Sequence, residues 1–227
     1  MKTTSVMKNK LIFLGIMIAT LVLVPATILP SVNLAFTLKH LPSILNLLQR
    51  FIGLILFVLV FWQIMLGAYM EKLYEKFGNW IFDFHVWEGI TIYLLAIVHP
   101  LIFLTYRHYT GVGTDPVFVF LGFCGYCQTN LDFYYTLGRI GFWLLTIAVF
   151  AGLFRSSTTF LKKNWRKFHV INYLVFIGIG IHGFLLGSDF SFPPFIYFAI
   201  LASLLVLYTV LRKLPNLIFS YRKWINS

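Results

Sequence analysis

Six long apolar runs separated by short polar links take up nearly all of this chain, and they constrain its fold more than any other feature. A helix needs about 20 residues to cross the roughly 30 Å of a bilayer's hydrocarbon core, and each run comes close to that length. In hydrocarbon an unpaired backbone amide costs several kcal/mol, so such runs have to be helices. Five of the expected spans cover about 11–29, 43–70, 81–106, 134–154 and 195–211, and the remaining one, the fifth in order, runs from His169 to the GSDFSFPP turn. Hydrophobic residues at 59%, charged residues at 11% and a mean hydropathy of +0.85 exclude an ordinary soluble domain of 227 residues. The expected fold is an all-α membrane protein, a six-transmembrane-helix bundle forming one domain over 1–227, in contact with membrane lipid and with no room for a soluble catalytic domain. A net charge of +11 would point to nucleic acid in a soluble protein. Here the basic residues lie between apolar spans, where they report orientation, and no nucleic-acid partner is expected.

Four of the six histidines fall into two pairs. His85 and His99 lie fourteen residues apart on the third span, His169 and His182 thirteen apart on the fifth. Fourteen residues rise roughly 21 Å along a helix and return to within about 40° of the starting face. Thirteen fall about 140° short of four turns, so the second pair needs overwinding, tilt or different side-chain directions, which Gly178, Gly180 and Gly183 are placed to allow. Facing one another, the two spans would offer two imidazoles at one depth and two at another, the ligand set for two bis-histidine haems b stacked between helices 3 and 5. A single intramembrane histidine is more often a hydrogen-bonding partner of a neighbouring helix or part of a proton path. A non-redox transporter or scaffold is therefore the alternative from another class, and two matched pairs weigh against it.

The remaining features take their meaning from these spans. The first apolar run follows a short basic segment but lacks a good small-x-small cleavage site, so it reads as a retained anchor rather than a signal peptide. Arg50, early in the second span, would snorkel to the interface or meet a haem propionate. Gly89 shares a face with His85, and its missing side chain would make room for a flat macrocycle. Glu88, within a turn of His85, is expensive in hydrocarbon unless it faces the bundle interior or the headgroups. In the long loop 107–130, Thr114, Asp115 and Pro116 read as the start of a short helix, and the following VFVFLGF is too short to span and should lie as a re-entrant or interfacial lid. Cys124 and Cys127 form a CGYC motif, for which a short-range disulfide is the expected state if the loop is extracytoplasmic, with a thiol redox role as the alternative.

Lysines and arginines alternate in density from side to side. Three at the N-terminus, two in the second link, five in the fourth (Arg155, Lys162, Lys163, Arg166, Lys167) and four in the tail (Arg212, Lys213, Arg222, Lys223) make fourteen, against four at Lys39, Arg50, Arg107 and Arg139. The imbalance predicts both termini in the cytoplasm, His85 and His169 as the inner pair, and His99 and His182 as the outer pair.

On His85, Gly89, His99 and Pro100 of the third span, and Trp165, His169, Tyr173 and His182 of the fifth, the chain resembles the ferric reductase-like transmembrane domain shared by ferric reductases and NADPH oxidases. That resemblance covers essentially the whole chain. It implies two b haems held by the paired histidines, Arg50 near the outer haem, and electrons passed outward to an acceptor such as ferric iron or oxygen. The family usually continues into a flavin- and NADPH-binding domain, whereas here a basic tail follows the sixth span and no Gly-rich dinucleotide fingerprint occurs. Flavin and NAD(P)H would thus act only through a separate cytoplasmic flavoprotein reductase, docking near Arg155, Lys162, Lys163, Arg166 and Lys167, and the chain itself would be the electron-transfer component of an oxidoreductase. In this it is similar to the stand-alone haem-binding membrane subunit of the bacterial methionine sulfoxide repair system, the second reading. The expected location is a prokaryotic plasma membrane.

Overall fold

The structure, a computed structural model, describes residues 2–225, with side chains from 6 to 213. The side chains of Lys2, Arg222 and Lys223, counted above, lie outside the described residues. Among those described, 85% of the chain is helical and no strand occurs. In order the helices are α1 (Lys2–Ile28), α2 (Leu34–Thr37), α3 (Leu41–Phe77), α4 (Asn79–Tyr109), α5 (Pro116–Leu121), α6 (Asn130–Leu153), α7 (Thr159–His169), α8 (Asn172–Leu186) and α9 (Phe195–Ile225). Six stretches are long and apolar enough to cross a membrane, the fifth being α7 and α8 together.

Local chemistry sets the boundaries. Pro42 lies in the first turn of α3, where its missing N–H leaves no hydrogen bond unmade. The side chain of Asp115 accepts the Phe118 amide at 3.0 Å and starts α5, and Thr129 and Asp132 form a capping box at the start of α6. The link expected at 71–80 is not a loop. α3 continues through it to Phe77, which is buried, because Leu73 and Phe77 keep the helical apolar period; Gly78 at φ 68° then turns the chain directly into α4. α3 kinks at Tyr69 (φ −113°, ψ 17°), where the Tyr69 hydroxyl meets Thr209 of α9 at 3.3 Å and the Ala68 carbonyl accepts from the Lys213 ammonium.

The second histidine pair does not share one regular helix. His169 is the last residue of α7, and α8 begins at Asn172. Across Val170 and Ile171 the backbone bonds tighten to an i→i+3 pattern: Ile171 N to Phe168 O at 3.1 Å, Tyr173 N to Val170 O at 3.1 Å, and Leu174 N to Ile171 O at 2.8 Å. Each residue in such a turn winds roughly 20° further than in an α-helix, the direction that the thirteen-residue spacing requires. The adjustment sits there rather than at the glycines of α8. Gly180 and Gly183 instead seat aromatic rings: a Cβ on them would lie 3.4 Å from Phe57 and 2.9 Å from Phe190.

α3 is the central helix, packed along α4 and also touching α1, α8 and α9, while α6 packs along α8. Phe57 of α3, 2% exposed, contacts the rings of Phe176, Phe190, Phe195 and Phe198 at centroid distances of 4.8, 4.9, 6.0 and 6.4 Å. In lipid, an apolar side chain gains nothing merely by leaving its surroundings, so close packing of this kind, not water exclusion, holds the helices together. The outer surface is apolar as well, with Ile12, Ile16, Leu94, Ile147 and Leu204 exposed.

Candidate functional site: two levels of paired imidazoles

α4 carries His85 and His99, and the α7–α8 pair carries His169 and His182. At one level the rings of His85 and His169 face each other with centroids 6.0 Å apart and planes at 73°. At the other, His99 and His182 line a cavity of about 390 Å³. The structure therefore brings the four histidines together in the two pairs expected from the sequence.

The glycines behind the rings escaped the sequence reading. α3 presents Gly53 to His99 and Gly67 to His85; α6 presents Gly138 to His182 and Gly152 to His169. A Cβ at these four positions would lie 3.4, 3.5, 2.6 and 3.5 Å from the nearest imidazole atom. Each glycine pair is fourteen residues apart, the spacing of His85 and His99, and that repeat on the second and fourth spans was the signal available.

On α6 the backbone one turn before each glycine also orients the imidazole. With no side chain at Gly138, the His182 ring reaches the carbonyl of Tyr134, one turn earlier, with Nδ1 at 2.8 Å; the same register brings His169 Nδ1 to the Ala148 carbonyl at 3.3 Å. A carbonyl only accepts, so Nδ1 carries the proton and Nε2 keeps its lone pair, the arrangement of a metal-binding histidine. On α4, His85 Nδ1 and His99 Nδ1 are buried without a hydrogen-bond partner.

The donor set decides what these levels fit. Among the described residues no group of three or more His, Cys, Asp or Glu side chains converges as a metal cage. A bare ion would be left with two ligands where about four are needed, whereas an ion that arrives in a macrocycle lacks only its two axial ones. Metal–nitrogen bonds of about 2.0 Å on each side, plus ring radii of about 1.1 Å, separate two axial imidazole centroids by roughly 6 Å. The His85–His169 separation agrees with that value.

Around the His99/His182 cavity stand charges that the sequence located only in part. Arg50 lines it, and its guanidinium is paired with the buried Asp189, Nε to Oδ2 and Nη2 to Oδ1 both at 2.6 Å, with Nη2 also donating to Ser31 at 2.8 Å. Arg139, counted above only for topology, is buried in the cavity wall and donates to the carbonyls of Val119 at 3.2 Å and Gly122 at 2.5 Å. Those bonds fix α5 against α6, so that Val119 and Phe120 close part of the cavity, as a lid segment should. Phe118 is in contact with two guanidinium groups, those of Arg107 and Arg139, each 4.7 Å from its ring.

Three further expectations meet the structure differently. The space opened by Gly89 is taken by Gln63, whose amide nitrogen lies 2.7 Å from where a Cβ would stand and donates to the His85 carbonyl at 3.1 Å. α3 packs so closely on α4 that its own side chain fills the gap. Glu88 is buried, 6% exposed, with no hydrogen-bond partner for either carboxylate oxygen. Cys124 and Cys127 are joined by a disulfide, the state expected of them.

Four of the basic residues of the fourth link, Lys162, Lys163, Arg166 and Lys167, are not in a loop but on α7, which Thr158 caps and which ends in His169 itself, while Arg155 lies in the turn before it. Arg155, Lys162, Lys163, Arg166 and Lys167 are all exposed. Compared with known protein families, with curated proteins and with solved structures, the chain gives no match.

Proposed function

We propose that this chain is a di-haem b membrane electron-transfer protein, carrying electrons from a cytoplasmic flavoprotein to an acceptor on the opposite side. One observation supports this above the rest: two facing imidazoles at each of two levels, all four backed by glycines that recur at fourteen residues on α3 and on α6. Hydrogen-bonding histidines of a transporter would need neither the paired levels nor the space that Gly138 clears for His182. A haem b held at each level supplies reversible one-electron iron chemistry.

The protein's residues do the rest. His85 and His169 would hold the inner group, His99 and His182 the outer one, with the Ala148 and Tyr134 carbonyls fixing the α7–α8 imidazoles so that Nε2 points to the metal. With two histidines holding each group, no position on the metal would remain for a small molecule, and the protein would act as a relay. Arg139 places positive charge beside the outer position, and Arg50, although paired with Asp189, adds a second guanidinium there; both would suit the propionates of a bound haem. The basic face of α7 lies next to the inner ligand and suits an acidic donor protein. The charge count supports a cytoplasmic side for both termini and for this face.

The test is haem content and the visible spectrum of the purified protein, with each histidine replaced in turn. Wild type should hold two haems per chain and, when reduced, fail to bind carbon monoxide. His99→Ala or His182→Ala should lose the outer haem, His85→Ala or His169→Ala the inner one. No Soret band after expression with ample haem, or unchanged stoichiometry in all four variants, would refute the reading.

A further inference from the structure

The CGYC disulfide is bound to the same turn of α6 that positions His182. The Tyr134 carbonyl accepts from His182, Gly138 makes the space for that ring, and between them Thr136, itself buried, holds Cys124. Its hydroxyl accepts the Cys124 amide at 3.2 Å and lies 3.2 Å from Cys124 Sγ. Thr136 and Gly138 are two residues apart on α6, a rise of about 3 Å and a rotation of about 200°, so Cys124 rests on a different face of the same turn from the His182 ring. The two sulfurs differ in surroundings: Cys124 is half-buried against α6, whereas Cys127 is exposed next to Tyr126, which is 99% exposed.

The disulfide is not needed to fix this segment. Arg139 already binds the Val119 and Gly122 carbonyls, and Trp143 donates to the Phe120 carbonyl at 3.0 Å. A bridge between positions three apart also closes the smallest of loops, where a cross-link removes least freedom from the unfolded chain. What its position does provide is one sulfur held against the α6 turn that carries Gly138 and the other open to solvent, an arrangement suited to passing electrons outward.

We propose that the Cys124–Cys127 disulfide is the electron acceptor of the outer site, and that this protein delivers electrons to thiol–disulfide exchange with oxidised proteins outside the membrane. The inference rests on the di-haem reading above. Two electrons and two protons break the S–S bond and leave two thiols; a haem held by His99 and His182 would supply the electrons one at a time, being oxidised twice per disulfide, and the protons come from external water. A reduced flavin in the cytoplasmic donor restores the irons. The Cys127 thiolate then attacks an exposed disulfide of the partner, Cys124 resolves the mixed disulfide, and the CGYC bridge re-forms with two thiols released on the partner. A chain with two one-electron sites matches a two-electron acceptor.

The experiment uses the full-length, haem-loaded protein in proteoliposomes with dithionite sealed inside and a polyethylene-glycol maleimide outside. The visible spectrum and the gel shift of alkylated chains are read together, relative to chains alkylated after an external phosphine reductant opens every outward-facing bridge. In wild type, haem reduction should be followed by alkylation of both cysteines. In His182→Ala, and in His99→Ala should the first variant not insert, alkylation should fall to none without the phosphine. Haem that is reduced while the cysteines stay closed overturns the acceptor proposal and leaves the relay standing. Equal alkylation with and without the outer histidines also overturns it, and absence of haem bands from the protein at the outset overturns the relay itself.

Discussion

Replacing Gly138 by alanine puts a carbon 2.6 Å from His182 Cε1 and 2.8 Å from Nδ1. Ordinary contact begins near 3.4 Å, so the imidazole must retreat by about 0.8 Å from the α6 backbone. The Nδ1 to Tyr134 hydrogen bond, now 2.8 Å, would then stretch to about 3.5 Å, beyond useful geometry. Loss of such a partner from a metal-binding histidine lowers affinity about 10- to 100-fold, or about 1.4 to 2.7 kcal/mol. The helix itself is favoured by the change, alanine being better than glycine by about 0.8–1.0 kcal/mol, so a loss of binding could not be assigned to a weakened helix. Gly53→Ala and Gly152→Ala are the controls, since their Cβ contacts would be 3.4 and 3.5 Å. Haem per chain, measured after extensive washing, should fall from two toward one in Gly138→Ala and stay at two in the controls. Full retention in Gly138→Ala, with an unaltered spectrum, would refute the role given to this glycine and its carbonyl.

Removing Asp189 leaves the Arg50 guanidinium facing the outer cavity without its carboxylate. Breaking a fully buried pair costs about 3–5 kcal/mol, and with the Arg50 side chain 25% exposed the loss in Asp189→Ala should be about 2–3 kcal/mol, seen as a lower thermal midpoint in detergent, with Asp189→Asn affected less. Neutralising Lys162, Lys163, Arg166 and Lys167 should slow donor-driven haem reduction at low salt, with the difference from wild type shrinking at high salt. Unchanged rates in correctly oriented protein would leave those residues a topological role alone. NADPH by itself should not reduce the haems at a useful rate, because it delivers two electrons and the iron takes one; dithionite should reduce them fully, and an added flavin reductase should restore enzymatic reduction. Rapid reduction by NADPH in flavin-free protein would reveal a nucleotide site in this chain.

The sequence by itself determined the six spanning helices and the pairing of His85 with His169 and of His99 with His182. Both follow from one-dimensional quantities: the length of apolar runs against bilayer thickness, and residue spacing against helical rise. It also predicted the short α5 helix from Asp115 and Pro116, since capping is local chemistry. What only the tertiary structure decided depends on which helices lie back to back. Gly53, Gly67, Gly138 and Gly152 look like any glycines of membrane helices until α3 is seen packed on α4 and α6 on α7 and α8, when each proves to lie against an imidazole and Gly138 to be the one a Cβ would close. Gly89 looked like such a space from its register with His85, but close packing gave it to Gln63. Arg50 was marked by its charge, while its partner Asp189 lies 139 residues away and only the fold brings the two together. The break at Val170 and Ile171 was required by the spacing of His169 and His182, but its place was set where α7 ends and α8 packs on α6. Spacing along a helix fixes depth in the membrane; which neighbour fills each gap at that depth is a property of packing in three dimensions, and packing is what holds helices together in lipid.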